Sequence, residues 1–148
     1  MFIAETQIRV RYADTDQMKV VYHGNYAQYF ESARSESIRK LGFTYKDMEA
    51  MGIIMPVTEL HTKFIRPAYY DELLTIKTTL RELSLHPRIE FHQEIFDEKG
   101  GLLTVGRVVL YFLDAHTMKK TSMPQPLYAR LEVFFRPDDP LVQAGVSA

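Results

Sequence analysis

One change of hydrophobic period constrains this chain more than any other feature. From Asn25 to Leu41 the residues Tyr26, Tyr29, Phe30, Ala33, Ser37, Ile38 and Leu41 recur at three- and four-residue steps. Gln28, Glu31, Ser32, Ser35, Glu36 and Arg39 lie opposite. That spacing predicts one long amphipathic helix, and Gly42 is a natural place for it to stop. After Gly52 the period drops to two. Leu74, Ile76, Thr78 and Leu80 alternate with Thr75, Lys77, Thr79 and Arg81, and Ile89, Phe91, Gln93 and Ile95 alternate with Glu90, His92 and Glu94. A chain that is helical once and then strand-like to near its end folds as α+β, with its helices segregated from its strands.

The remaining elements fit this frame. Ile8 to Tyr12 alternates apolar with charged residues and predicts a strand, followed by a loop from Ala13 to Gly24. Tyr45 to Met51 is expected as a short helix, with Thr44 as N-cap and Asp47 at its third position. Ile53 to Phe64 is a strand interrupted at Pro56, Asp97 to Gly101 is a hairpin turn, and Leu102 to Leu113 is apolar enough for a central strand. A last helix is expected from Pro126 to Phe134. Five strands joined mostly by hairpins make a mainly antiparallel sheet. One long helix covers only one face of such a sheet, so curling, the helix and a second subunit are expected to hide the rest.

With 148 residues, 46% of them apolar, the chain suits one domain over residues 1–148, with a loose end from Arg136 to Ala148 around Pro137, Asp138, Asp139 and Pro140. The formal charge of −1 argues against a globally basic nucleic-acid binder. The absence of cysteine removes disulfides, thiolate nucleophiles and cysteine zinc sites. The apolar start is broken at Glu5, and no stretch approaches 18 apolar residues, so no membrane span and a cytoplasmic protein are expected.

Chemistry concentrates between Tyr12 and Tyr29, where a strand crosses to the helix. The segment holds Asp14, Asp16, His23 and Asn25. A helix N-terminus offers unpaired N–H groups and partial positive charge. The backbone N–H groups of His23 and Gly24 stand there, positioned to receive an oxyanion on an acyl carbonyl, while a nearby carboxylate activates water or attacks directly. Each residue also has a plainer use. Asp14 and Asp16 suit turn hydrogen bonds, Asn25 suits an N-cap, and the tyrosines suit packing. Asp-x-Asp fits metal binding too, but Gln17-Met18-Lys19 breaks the calcium-loop register, so no metal is expected.

The run from Arg9 to Glu36 resembles the hotdog-fold acyl-CoA thioesterases, nearest the 4-hydroxybenzoyl-CoA thioesterase-like family and its Tol–Pal-linked bacterial branch. It carries D-x-D, then an apolar pair, then Tyr22-His23-Gly24-Asn25-Tyr26, then an aromatic-rich helix with Glu31-Ser32-Ala33-Arg34. The likeness continues from Phe64 to Leu74 and extends over about Ile8 to Asp114. It implies a curved, mostly antiparallel five-stranded sheet wrapped around one long central helix, with subunits joined edge to edge as a homodimer or homotetramer and the thioester at their interface. It implies hydrolysis of an acyl thioester of coenzyme A, or of the same arm on an acyl carrier protein, without a metal or redox cofactor.

By the same resemblance Asp16 is the catalytic carboxylate, the His23 N–H meets the thioester oxygen, and Tyr12 and the His23 side chain are auxiliary. Gly24 and Asn25 are assigned to substrate binding beside them. Tyr12 shares its strand face with Ile8 and Val10 and is expected to point toward the helix. The three phosphates of coenzyme A call for a local basic patch, for which His86 and Arg88 are the first candidates and Lys63 and Arg66 the second; solvated surface charge explains each as readily. Family members commonly carry Gly where this chain has Lys19; Lys there is either modestly strained, if the backbone is left-handed, or places a cation near the pocket mouth. Two other roles for the fold remain open. A hydratase or dehydratase is disfavoured by the seven-residue spacing of Asp16 and His23 and the lack of a His-Phe-Pro run. A non-catalytic acyl-thioester-binding module is disfavoured by the intact Asp16.

Overall fold

The computed structural model describes residues 1–136, so the expected loose end beyond Arg136 lies outside the described residues. The chain runs β1 (Phe2–Arg9), α1 (Tyr26–Lys40), α2 (Tyr45–Ala50), β2 (Ile53–Ile54), β3 (Val57–Phe64), β4 (Leu73–Leu80), β5 (Arg88–Phe96), β6 (Leu102–Tyr111), β7 (Leu113–Asp114) and α3 (Gln125–Glu132). Five strands form one antiparallel sheet in the order β1-β4-β5-β6-β3. The two-residue strands β2 and β7 pair separately. The helix stripe is as the spacing predicts: Tyr26, Tyr29, Phe30, Ala33, Ser37 and Ile38 are buried. Gly42 follows with φ +79°, a conformation open to glycine, and Arg130 of α3 donates to the carbonyl of Leu41 at the helix end. The Thr44 hydroxyl accepts from the Asp47 N–H and the Asp47 carboxylate accepts from the Thr44 N–H, so α2 begins on a reciprocal cap.

α1 lies in the concavity of the sheet, and its burial divides the core in two. Tyr26, Tyr29, Phe30 and Ala33 pack with Val10, Ala68, Leu74, Ile76, Ile95 and Leu103. Ile38 packs beyond them with Phe2, Leu80, Phe91, Phe112, Leu127 and Leu131. Between the two clusters runs a buried polar layer: Arg34 and Ser37 on α1, Thr78 on β4 and Gln93 on β5. The Gln93 amide donates to the Phe30 carbonyl at 2.9 Å and to the Thr78 hydroxyl at 3.0 Å, and its oxygen accepts from Arg34 at 3.1 Å. A buried amide with these partners is satisfied, and it pins the helix to one position along the sheet. Gly106 on β6 lets the helix approach this closely, because a Cβ there would stand 2.6 Å from the Phe30 ring.

Two expectations need correction. The first strand begins at Phe2 and ends at Arg9, so Tyr12 lies beyond it in a 3-10 turn (Tyr12–Asp14) and is 79% exposed. It does not point toward the helix. The convex face of the sheet is not apolar either: it presents Lys77, Glu90, His92 and Arg107, with Glu90 pairing Arg88, His92 and Arg107. Exposed apolar surface instead collects on and after β3, an edge of the sheet, at Val57, Leu60, Phe64 and Ile65.

Candidate active site

The loop between β1 and α1 is built on Asp14. Its carboxylate accepts from the Arg11 N–H at 2.9 Å, the Arg11 guanidinium at 3.0 Å and the Tyr29 hydroxyl at 2.8 Å. Its backbone carbonyl accepts from the Tyr22 N–H and from the Asn25 side-chain amide, both at 2.9 Å. Burial alone would raise the Asp14 pKa, but the N–H and guanidinium of Arg11 with the Tyr29 hydroxyl hold it below the ordinary carboxylate range. Burial and the bond to Asp14 push Tyr29 well up, so it stays protonated as a donor. The first acid of Asp-x-Asp is therefore an anchor, as the turn reading allowed. Asn25, expected at the substrate, has its amide engaged on this anchor.

Asp16 hangs from the anchored loop in a tight turn. Its N–H donates to the Val20 carbonyl at 2.9 Å, and its carbonyl accepts from the Lys19 N–H at 3.0 Å. Oδ1 accepts from the Met18 N–H at 2.8 Å. Among the described residues Oδ2 has no partner, and the half-buried side chain lines a cavity of about 630 Å³ with Tyr12, Thr15, Gln17, Lys19 and Tyr70. Lys19 has φ +65°, so the backbone here is left-handed in fact. Tyr70 arrives because Val21 donates to the Ala68 carbonyl and Val20 bridges to Tyr69, holding the turn before β4 against the loop. Its ring meets that of Tyr12 edge-on, with centroids 5.9 Å apart.

His23 to Asn25 form a 3-10 turn that leads into α1. No backbone acceptor among the described residues meets the N–H of His23 or Gly24. The exposed His23 ring lies 4.4 Å from the Tyr22 ring and edge-on to Phe64 of β3 at 6.5 Å. It is not part of the lining around Asp16. The structure thus gathers Tyr12 and Asp16 in one cavity and leaves His23 and Gly24 at the helix start.

The four expected cations are not gathered. Arg66 reaches toward Asp97 at 3.9 Å and lines a neighbouring cavity that shares Tyr70 with the first. Lys63 is exposed on β3. His86 accepts the Arg88 N–H, and the Arg88 guanidinium is paired with Glu90 at 2.9 Å. Both stand where β5 begins, at the far end of β4 from Glu72, whose carbonyl accepts from Val10 beside the loop. The eight residues of β4 separate the two ends by roughly 23 Å. One chain therefore does not bring His86 and Arg88 to Asp16. Lys19 lines the cavity, as its reading as a cation at the pocket mouth allows, whereas Tyr70 has no signal in the sequence, since a cavity made by a loop and a distant turn leaves no local pattern. Among the described residues no group of three or more His, Asp or Glu could hold a metal ion, and no helix is long and apolar enough to cross a membrane.

Comparison with known proteins places this geometry in context. Residues 10–131 match the family described as the thioesterase-like superfamily. A Bacillus subtilis (strain 168) protein described provisionally as acyl-CoA thioesterase YneP is 39% identical over 55% of the chain, a match spanning 59% of that relative's length. A provisionally described esterase of Aquifex aeolicus is likewise matched over 59% of its length. The acyl-CoA thioesterase YbgC of Haemophilus influenzae is 32% identical over 82% of the chain and 89% of its own length. Among solved structures, a DHNA-CoA thioesterase from Staphylococcus aureus superposes with a TM-score of 0.84 at 38% identity, covering 99% of both chains.

Proposed function

The chain belongs to the thioesterase-like superfamily, and from that premise we propose that it hydrolyses acyl-coenzyme A thioesters to a free acid and coenzyme A. The observation that carries this reading is the Asp16 carboxylate. One oxygen is fixed by the Met18 N–H and the other is free toward a cavity. Asp16 takes the proton from a water that attacks the carbonyl carbon, or itself attacks and is released by water. Either route adds one water across the C–S bond, and the leaving thiolate takes up the proton. The negative charge on the carbonyl oxygen is received by the N–H of His23, with Gly24 beside it, at the positive end of α1. One such donor is worth roughly 3–4 kcal/mol in the transition state. The ring of Tyr12 walls the cavity. No metal or redox group is required by these steps.

Relatives named for acyl-CoA and for DHNA-CoA support coenzyme A as the carrier, in preference to an acyl carrier protein. The protein works in the cytoplasm with its substrate, as a single domain. Two copies join along the exposed apolar edge of β3, and that pairing is how Lys63, His86 or Arg88 of one copy reaches coenzyme phosphates bound at the other. The test is thiol release from saturated and aromatic acyl-CoAs, followed with a thiol reagent, together with light scattering. Turnover by a dimer or tetramer is expected. Binding without thiol release would contradict the enzyme reading, and a fully active monomer would contradict the pairing.

A further inference from the structure

The open edge of β3 carries a charge pattern that no contact within the chain uses. β3 pairs with β6 on one side and has no neighbouring strand on the other among the described residues. Glu59, His61 and Lys63 follow one another at two-residue steps, so their side chains share one face of the strand. That face is the convex one, because His61 stands directly opposite Arg107 in the ladder. All three side chains are exposed, and none has a hydrogen bond or ion pair among the described residues. Glu59 and Lys63 are about 14 Å apart along the strand, too far to pair with each other. In the opposite chain direction acid, imidazole and base become base, imidazole and acid. The edge is therefore complementary to itself when two copies run antiparallel.

Resting on the pairing of copies along β3, we propose that they meet antiparallel about a two-fold axis through His61, with Glu59 of each copy against the partner's Lys63, and that protonation of the two His61 rings loosens the junction. Opposite charges and like faces fix this register. An axis through Leu60 would set Glu59 against the partner's His61 and leave Lys63 beside the partner's Val57. An axis through Thr62 would set Lys63 against the partner's His61 and leave Glu59 beside the partner's Ile65. Only the His61 axis forms both ion pairs. The Ile65 N–H bonds the Leu103 carbonyl on β6, and antiparallel alternation turns the backbone groups of Lys63 and His61 the same way. The N–H and C=O groups of Leu60 and Thr62 then face the open edge and bond to the partner. His61 falls at a non-hydrogen-bonded position, where facing Cα atoms are about 4.5 Å apart, so the two imidazoles meet. Each ring is faced by Glu59 and Lys63 on its own strand, by Arg107 on β6 and by the partner's His61, Glu59 and Lys63. Arg107 and, beyond it on β5, His92 are both engaged by Glu90. Two charged imidazoles at that spacing, each beside an arginine, repel one another, and two neutral ones do not. Phe64, whose ring lies 6.5 Å from that of His23, is three residues from the axis, so the helix start of each copy stands beside the partner's strand. Lys63 is committed to the junction, which leaves His86 and Arg88 for the coenzyme phosphates.

The chain has no cysteine, so His61→Cys introduces a single thiol, and on the axis it lies within disulfide reach of its counterpart. Mild oxidation of the full chain is expected to convert most of this variant to a covalent dimer. Lys63→Cys, whose two thiols lie about 14 Å apart in this register, is expected to stay uncrosslinked. Subunit exchange between isotope-labelled and unlabelled batches, followed by native mass spectrometry, reads the charges. Glu59→Lys and Lys63→Glu should each speed exchange about five-fold or more, or abolish the dimer, and the double reversal should restore the wild-type rate. Between roughly pH 7.5 and pH 5.5 exchange should quicken about five-fold in the wild type and stay within about twofold in His61→Gln. Equal crosslinking of the two cysteine variants, or a double reversal no better than the single ones, overturns the register. Equal acceleration by acid in the wild type and His61→Gln overturns the switch. A wild type that is monomeric by light scattering contradicts the pairing itself and this proposal with it. Thiol release from an acyl-CoA by a dimeric wild type whose His61→Cys variant stays uncrosslinked overturns the register and leaves the thioesterase reading standing.

Discussion

The hydroxyl of Tyr29, on the buried face of α1, donates a 2.8 Å hydrogen bond to Oδ2 of Asp14, in the loop that carries Asp16. This bond couples the loop to the helix around which the sheet is wrapped, and it sets where Asp16 stands. Tyr29→Phe removes one donor from a buried carboxylate and leaves the two from Arg11. The expected cost is about 1–2 kcal/mol in unfolding by denaturant. A fall in kcat larger than any change in KM is also expected, because the loop is displaced without loss of a substrate contact. Unaltered stability and kcat would show that the bond positions nothing.

The same carboxylate makes the fold acid-sensitive in a defined direction. Asp14 sits below its ordinary value in the folded protein. Its contribution is therefore fully present above the unfolded carboxylate range, near pH 4, and is lost as pH falls through the lower folded value. Denaturant unfolding of the wild type and Asp14→Asn, measured from about pH 6 to pH 2, is expected to show the largest gap near neutrality and a narrowing gap in acid. A gap that widens in acid would contradict the assignment.

Lys19 adopts φ +65°, and glycine occupies that region freely. Lys19→Gly relieves roughly 1–2 kcal/mol of left-handed strain and gives back part of it through the greater freedom of the unfolded chain, so a net gain of about 0.5–1 kcal/mol is expected. Lys19→Ala, which keeps the Cβ, should give no such gain. Thermal unfolding of the pair distinguishes backbone relief from a general effect of removing the lysine.

Gly106 faces the Phe30 ring so closely that an added Cβ would lie 2.6 Å away. Gly106→Ala is expected to destabilise by about 1–3 kcal/mol through overpacking. Phe30→Leu should recover part of that loss when combined with it, a non-additivity that a double-mutant cycle measures.

Much of the fold was legible in the sequence because it rests on local period. The Tyr26 to Ile38 stripe, the Thr44–Asp47 cap and the alternation in β4 and β5 each follow from neighbouring residues. β1 was half-legible: Glu5, Thr6 and Gln7 dilute the alternation after Phe2. At its other end the pattern of Val10, Arg11 and Tyr12 continues past the last paired residue, where Asp14 draws the Arg11 N–H into a turn. The pairing of β2 with β7 is too short to show a period. In the candidate site, the resemblance singled out Asp16 and the helix start. Lys19 stands beside Asp16 within one tight turn, whereas Tyr70 joins them only through the Val20–Tyr69 bridge, a contact between distant segments that no spacing announces. The distance of His86 and Arg88 from Asp16 within one chain was not legible either, since a basic turn carries no sign of which end of a sheet it occupies.

The central claim is that the Asp16 carboxylate performs the hydrolysis. The most direct measurement is thiol release from an acyl-CoA that the wild type turns over, repeated with Asp16→Asn and accompanied by a thermal melt of each protein. The side chain is half-buried at a cavity rim, and Asn retains an oxygen for the Met18 N–H, so the melts should nearly coincide. The predicted kcat falls about 100-fold or more, the scale expected for removing a general base. Turnover within about threefold of the wild type by a variant that melts normally would contradict the claim.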